Sequence, residues 1–277
     1  VSQKKVEAAS TGKLSVTGYQ DYSDAQKILK EVNKYRKKNG RKALKMDRGL
    51  TNSAIMRGFE TTIYIPETSP HRRPNGKLSK SINKKIIYEN CAQSAGTTPK
   101  QIVKGWINSS THRKGLLLSN AKSVGVAAVT VVSRDGYEAN TWVLDFSSSK
   151  AKKVEKSKAR KQFTKNIVTK NSYLKKSYLK LDSRYGTIWE TEKMQMKPTY
   201  QGKMMKEYGV YPTVINTSSF TSWKSSNPSV ASVDSNGRIT GNKAGTVTIS
   251  AKLKTGTKIT ISKKINTYET SILPYED

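Results

Sequence analysis

Two histidines, His71 and His112, and a single cysteine, Cys91, stand out in this 277-residue chain as groups that could hold a metal or take part in nucleophilic chemistry near neutral pH. Cys91 with His112 would make a cysteine hydrolase pair. Ser109 and Ser110 lie within one helical turn of His112 and offer a hydroxyl instead. No G-x-S-x-G elbow surrounds either serine, and both read more simply as the end of one helix or the cap of the next. The chain carries no phosphate-cradling glycine loop, no dinucleotide fingerprint and no cysteine-based zinc motif. One cysteine also excludes an internal disulfide.

The elements that must position these groups follow from periodicity. Ser23 and Gln26 form a capping-box pattern before the apolar face Ala25, Ile28, Leu29, Val32 and Tyr35, and Asn39-Gly40 stops that helix. Asp47 opens a second helix with Leu50, Ala54 and Ile55 inward. Pro66 and Pro70 close that region, and Ser69–Gly76 reads as a loop. The pattern predicts a short helical piece over Ile86–Ala92. Thr98-Pro99 starts another helix, with Ile102, Val103, Trp106 and Ile107 inward. Val124–Ser133 and Tyr137–Phe146 are strands joined by the turn Arg134-Asp135-Gly136.

Beyond that point the character changes. Residues 150–171 are rich in lysine and arginine, with Glu155 the sole acid, and read as a solvated basic linker. From 172 to 268 short strands dominate: Val247, Ile249, Ala251 and Leu253 alternate, as do Ile259, Ile261 and Ile265, with turns at Asn236-Gly237 and Thr255-Gly256. That spacing suggests a small β-sandwich. Residues 1–20 and 269–277 read as tails.

Four segments together resemble the CAP superfamily (cysteine-rich secretory, antigen 5 and pathogenesis-related proteins) in its bacterial form. They are Asn33-Lys-Tyr-Arg36 with Gly40 and Leu44; Leu50, Ala54, Arg57 and Glu60; His71-Arg-Arg-Pro-Asn-Gly76; and Glu89-Asn90 followed by Trp106 through Arg113 and Val124-Gly-Val126. The order and spacing over residues 21–149 carry the likeness. Trp223 through Asp234, Asn236-Gly237 and Ala244 through Ile249 resemble a group 2 bacterial immunoglobulin-like domain. The fold class expected is therefore α+β, an α-β-α sandwich followed by an all-β immunoglobulin-like sandwich.

The CAP resemblance implies that His71, Glu89 and His112 share one cleft, with Ser109 near the place where many relatives have a second acid. Two neutral imidazoles and a carboxylate suit Zn²⁺ with one open position. Such a metal could be merely bound, or could activate water in a peptidase-like hydrolase; a hydrogen-bonded network that only holds the loops together is the third alternative. On the helix predicted for Ile86–Ala92, Cys91 would turn away from Glu89 into the core. Asn90 and Arg36 are expected to be structural. The run Leu116–Leu118 is expected in the core, and part of it could line a groove for a small lipid, as in some relatives.

The net charge is +31, with Lys+Arg 51 against Asp+Glu 20. It is spread over both halves and favours polyanionic partners, here an anionic cell-wall polymer or a host surface ligand. Nucleic acid is not the expected partner, because only Tyr173, Tyr178 and Tyr185 accompany the basic runs. No apolar run is long enough for a transmembrane helix. Beginning at Val1, the chain reads as a mature form, and secretion with cell-surface or wall association is expected. Binding rather than catalysis is the expected role.

Overall fold

The computed structural model describes residues 11–63, 71–182 and 186–267. Pro66, Ser69, Pro70, Tyr185 and the segments 1–10 and 269–277 lie outside the described residues.

The first element is β1 (Thr11–Asp21), followed by α1 (Tyr22–Lys38), β2 (Lys45–Met46) and α2 (Arg48–Thr62). Asp21, not Ser23, caps α1: its carboxylate accepts from the Asp24 backbone N–H at 2.9 Å. Gln26 reaches across instead to the Glu155 and Ser157 carbonyls. Asp47 caps α2 as its sequence position suggests, accepting from the Leu50 N–H at 2.9 Å, and its other oxygen accepts from the Lys152 N–H at 2.8 Å. Next come β3 (Tyr88–Ser94), α3 (Pro99–Asn108), α4 (Ser110–Leu116), β4 (Ser123–Val132), β5 (Glu138–Ser147) and β6 (Arg160–Lys170). Thr98 and Gln101 form a full capping box at α3, with Pro99 in the first turn.

These strands make one sheet in the order β3-β5-β4-β1-β6, with β2 added in parallel beside β4. The near-continuous apolar run of β4 follows from burial on both faces. Val124, Val126 and Ala128 pack with Ala25, Ile28, Val103 and Trp106 of α1 and α3 on one side. Ala127, Val129 and Val131 pack with Ala54, Ile55 and Phe59 of α2 on the other. The result is the expected α-β-α sandwich. Arg36, fully buried, braces it by donating to the Lys42, Leu116 and Leu118 carbonyls at 2.8, 2.7 and 3.2 Å.

Three expectations are corrected here. The segment 11–20, taken as part of a tail, is β1, whose eleven residues pair in unbroken antiparallel register with β6, from Thr11↔Lys170 to Asp21↔Arg160. The supposed linker 150–171 therefore contains an edge strand of the sheet, with Ile167 and Thr169 buried. Ile86–Ala92 is not helical; Tyr88–Ser94 is β3, paired with β5 from Tyr88↔Phe146 to Ser94↔Asn140.

The C-terminal half contains β7 (Leu179–Asp182), β8 (Thr187–Trp189), β9 (Lys193–Gln195), β10 (Lys197–Tyr200), the short α5 (Lys203–Glu207), β11 (Thr213–Val214), β12 (Phe220–Ser225), β13 (Ala231–Val233), β14 (Arg238–Gly241), β15 (Gly245–Leu253) and β16 (Lys258–Asn266). The strands form three sheets, β12-β15-β16-β8, β13-β14-β9 and β11-β10-β7, and the Ser133–Thr213 bridge links β11 to the end of β4. The alternation expected in β15 is present, with Val247, Ile249, Ala251 and Leu253 buried. Gly237, at φ +72°, makes the hairpin turn where the Trp223 ring lies so close that a Cβ would sit 2.7 Å from it.

The two halves share one apolar cluster, which runs from Leu14, Phe59 and Val129 through Leu174 and Tyr200 to Ile215 and Ile249. Polar ties reinforce the seam. The Ser15 N–H donates to Ser219 Oγ at 2.8 Å, and Asn216 Nδ2 donates to Ser15 Oγ and Thr17 Oγ1 at 3.0 and 2.9 Å. Thr213 Oγ1 donates to the Thr62 carbonyl at 2.9 Å.

Candidate functional site

The site forms where the C-terminal half of α2, the loop from His71 to Gly76, strand β3 and the α3–α4 junction meet. Arg57 and Glu60 are one turn apart on α2 and point the same way. The loop is held by a turn in which the Gly76 N–H donates to the Arg73 carbonyl at 2.8 Å, and by the Ser79 N–H donating to the His71 carbonyl at 2.9 Å. The end of β6 pins it from outside, the Lys170 N–H donating to the Pro74 carbonyl at 3.1 Å.

Arg57 lies at the centre and is almost wholly buried. Its Nε and Nη2 donate to the two oxygens of Glu89 at 2.8 and 3.2 Å, and its Nη1 donates to Glu60 Oε2 at 2.8 Å. Arg73 closes the chain from the loop, its Nη2 donating to Glu60 Oε1 at 2.7 Å. Two guanidinium and two carboxylate groups thus neutralise one another in a space that admits little water. Such a set persists when every member is paired, because each unpaired buried charge carries a desolvation cost of several kcal/mol (order of magnitude).

His71 Nδ1 is 2.8 Å from Glu89 Oε1. Burial by itself would raise the Glu89 pKa, but the His71 hydrogen bond and the Arg57 guanidinium outweigh it and hold the carboxyl below its usual range. Burial pulls against ionisation of Arg57 as well, and Glu89 and Glu60 more than reverse that. His112 Nδ1 lies 2.9 Å from Ser109 Oγ at the head of α4. Burial lowers its pKa, with a further push from His71, so the two rings are electrostatic neighbours and His112 favours the neutral form. Asn90, fully buried, donates from Nδ2 to the His112 carbonyl at 2.9 Å and so ties β3 to α4. Its expected structural role fits this bond.

Cys91 requires a correction. On a strand, residues two apart share a face. Cys91 therefore stands on the Glu89 side instead of turning away from it. The potential ligand atoms of His71, Glu89 and Cys91 all lie within 4.8 Å of one another, and His112 is not a member of that group. Burial, and then the Glu89 charge, push the Cys91 thiol up to about 12. At neutral pH it is a protonated thiol beside the site, not a nucleophilic thiolate.

Of the residues singled out from the sequence, the structure brings His71 onto Glu89 and His112 onto Ser109 as two hydrogen-bonded pairs. Sequence reasoning missed the roles of Arg57, Glu60 and Arg73, although the i, i+3 spacing of Arg57 and Glu60 on α2 was available as a signal. It also missed Asp145. This residue is directly opposite Glu89 in the β3–β5 pairing and is completely buried, and neither of its carboxyl oxygens has a hydrogen-bond partner among the described residues. Burial, and then the Glu89 charge, raise its pKa well above the normal range, against the opposing pull of Arg57.

A pH dependence follows. The unfolded chain releases the Asp145 proton near the ordinary aspartate pKa of about 3.9, whereas the folded chain retains it to higher pH. The native state then binds more protons than the unfolded one, so this group's contribution to stability falls as pH rises above about 4 and levels off beyond the folded pKa. Asp145→Asn, which cannot ionise, is expected to remove that slope. Urea unfolding of both proteins at pH 4 and pH 8 checks this: the variant should gain on the wild type between the two pH values. A constant difference would contradict it.

Residues 29–146 match the model of the cysteine-rich secretory protein family (CAP), and residues 201–263 match the bacterial Ig-like domain (group 2). The chain is similar to the uncharacterized protein YkwD of Bacillus subtilis, 31% identical over 130 residues. That alignment covers 46% of this chain and 48% of the relative, so about half of the relative's length is spanned. Among solved structures, an outer surface protein of Borrelia burgdorferi aligns at 18% identity over 47% of this chain and 98% of that one, TM-score 0.36. An extracellular protein containing an SCP domain from Bacillus anthracis aligns at 19% identity over 45% of this chain and 41% of that one, TM-score 0.34.

Proposed function

From a chain that carries a domain of the cysteine-rich secretory protein family at residues 29–146 and a group 2 bacterial Ig-like domain at 201–263, we infer an extracellular or surface-held binding module whose cleft takes a divalent metal. The observation that carries this is the pairing of both imidazole Nδ1 atoms, His71 on Glu89 at 2.8 Å and His112 on Ser109 at 2.9 Å. A zinc-binding histidine coordinates through one nitrogen while the other N–H donates to a carboxylate or another oxygen, which fixes tautomer and ring orientation. Coordination through Nε2 of His71 and Nε2 of His112 is the mode that keeps both Nδ1 bonds.

This reading changes the role expected for Glu89. Its two oxygens already accept from Arg57 and face His71, so it orients the histidine and does not serve as a third ligand. Ser109 plays the corresponding part for His112. The donor set of two neutral imidazoles completed by water suits Zn²⁺. Binding is favoured over catalysis because the two side chains that could act as nucleophiles are poorly set for it. The Cys91 thiol is held protonated, and His112, the histidine on Ser109 Oγ, has no carboxylate among the described residues to orient it as a base. The +31 charge would retain the module on an anionic surface polymer, and the Ig-like domain would space or dock it there.

Zinc titration calorimetry on the full chain tests the metal reading. One site of micromolar affinity or tighter is expected. It should be lost in the His71→Ala/His112→Ala double variant, and weakened about 10-fold or more in Ser109→Ala, which removes only the orienting hydroxyl. Absence of binding, or binding unchanged in the double variant, would overturn it.

A further inference from the structure

Between the two domains lies a cavity of about 1130 Å³, beside the His71 site and not lined by either histidine. We propose that it is a binding site for an acidic sugar chain, with tyrosine rings stacking on the sugar faces and Arg72 and Lys170 meeting the acidic groups. This gives the anionic polymer of the proposed function a defined seat, and it is independent of the metal.

The lining determines the ligand class. Tyr137 from the β4–β5 hairpin and Tyr211 from the loop before β11 stack across the seam, with centroids 4.8 Å apart and an interplanar angle of 19°. Both are more than half exposed, at 57% and 53%, so the pair presents ring faces and edges to solvent. Exposed aromatics brought together by two different domains form a rigid amphipathic platform at low entropic cost. Tyr173 adds another ring to the wall.

Among the described residues the charge balance of the lining is positive. Arg57, Arg72, Arg73 and Lys170 face Glu60 and Glu138. Arg57 and Arg73 are engaged with Glu60 and Glu89 as described. Arg72 donates from Nη1 to the Gly76 carbonyl at 3.0 Å, and among the described residues neither it nor Lys170 has a carboxylate within ion-pair distance. The floor is Cys91–Ser94 of β3, the edge strand of its sheet, which leaves backbone donors and acceptors on its outer side for hydroxyl groups.

An acyl chain would call for a tunnel of branched aliphatic side chains. Here the apolar lining is chiefly tyrosine, alanine and glycine, with Ile63 and Val210 the sole branched aliphatics among the described residues. The volume lies somewhat above the roughly 300–1,000 Å³ of small-molecule pockets, which favours several linked rings over one. The seam is fixed by the Ser133–Thr213 bridge and by the Thr213 hydroxyl on the Thr62 carbonyl, so the site is preorganised.

The test is calorimetric titration of the full chain in EDTA with three probes: tetragalacturonate, neutral maltotetraose and inorganic polyphosphate. EDTA keeps it separate from the zinc titration, so either reading can fail without the other. Saturable 1:1 binding of tetragalacturonate is expected, with maltotetraose at least 10-fold weaker. A Tyr137→Ala/Tyr211→Ala variant should lose about 10-fold or more for tetragalacturonate while its polyphosphate affinity stays the same. Arg72→Ala/Lys170→Ala should weaken tetragalacturonate to the level of maltotetraose. Three results would each overturn the proposal: no saturable binding of the acidic sugar at millimolar concentration, equal loss for both anions in the tyrosine variant, or displacement of the sugar by micromolar laurate.

Discussion

Replacing Arg57 by alanine is expected to destabilise the protein by about 3–5 kcal/mol, the usual penalty for removing one partner from a buried ion-pair network. Glu89 and Glu60 would each lose a guanidinium bond that is now 2.8 Å long, and both carboxylates are buried. The thermal midpoint should fall by roughly 6–20 °C, taking about 2–4 °C per kcal/mol for a chain of this size class. Arg57→Lys should fall between the two, because one ammonium cannot reach both carboxylates in the forked geometry. The effect should extend to function. With Glu89 no longer held by Arg57, His71 loses its fixed orientation, and zinc affinity should fall with stability. A midpoint within about 2 °C of wild type would contradict this view of Arg57 as the centre of the site.

The second large effect is expected at Gly125. Strand β4 crosses α2 there so closely that a Cβ would overlap the carbonyl carbon and oxygen of Leu50 and lie 2.7 Å from the Thr51 nitrogen. These are backbone atoms at the start of a helix, so no side-chain rotation relieves the overlap. Gly125→Ala should therefore reach the upper end of overpacking penalties, about 3 kcal/mol or more. Gly105→Ala is the control. Gly105 is within α3 with nothing near its Cβ position, and alanine there should stabilise by about 0.5–1 kcal/mol. Chemical denaturation of the two variants reads both signs at once, and a Gly125→Ala protein as stable as wild type would refute the close-crossing argument. Because α2 also carries Arg57 and Glu60, any shift of the helix that accommodates the methyl group should loosen the site as well.

The contrast between these two glycines shows what was legible in the sequence. Val124-Gly-Val126 stood out as a motif, but its reason, a helix backbone against the strand, is visible only in three dimensions. Local signals read well where the physics is local. Asp47, Thr98-Pro99 and the Arg134-Asp135-Gly136 turn mark element ends through capping and turn chemistry, and the alternation of Val247 to Leu253 marks a strand with one buried face. They failed where pairing partners are far apart. Strand β1 pairs with β6, some 150 residues away, and β6 hides under lysines because it is a sheet edge, where exposed charge guards against further pairing. Only Ile167 and Thr169 betray its inner face.

The misreading of Ile86–Ala92 had the largest consequence for the site. Helical and extended periods place Cys91 on opposite sides relative to Glu89. A seven-residue strand with one polar, charged face has no periodicity to distinguish it, and its pairing with β5 decides the matter. The candidate residues themselves were legible by type and by resemblance. What they bond to was not: the network of Arg57, Glu60 and Arg73 depends on α2 and the loop that carries His71 converging on β3.

The cleft is proposed to present two oriented imidazoles to a metal, with Glu89 and Ser109 behind them. X-ray absorption at the zinc K-edge of the fully loaded chain measures that directly. The expected spectrum has two imidazole nitrogens at about 2.0–2.1 Å, completed by light oxygen donors and with no sulfur. A sulfur shell at about 2.3 Å would place the metal in the His71, Glu89 and Cys91 group instead, and that result, or a spectrum without histidine scattering, would contradict the claim.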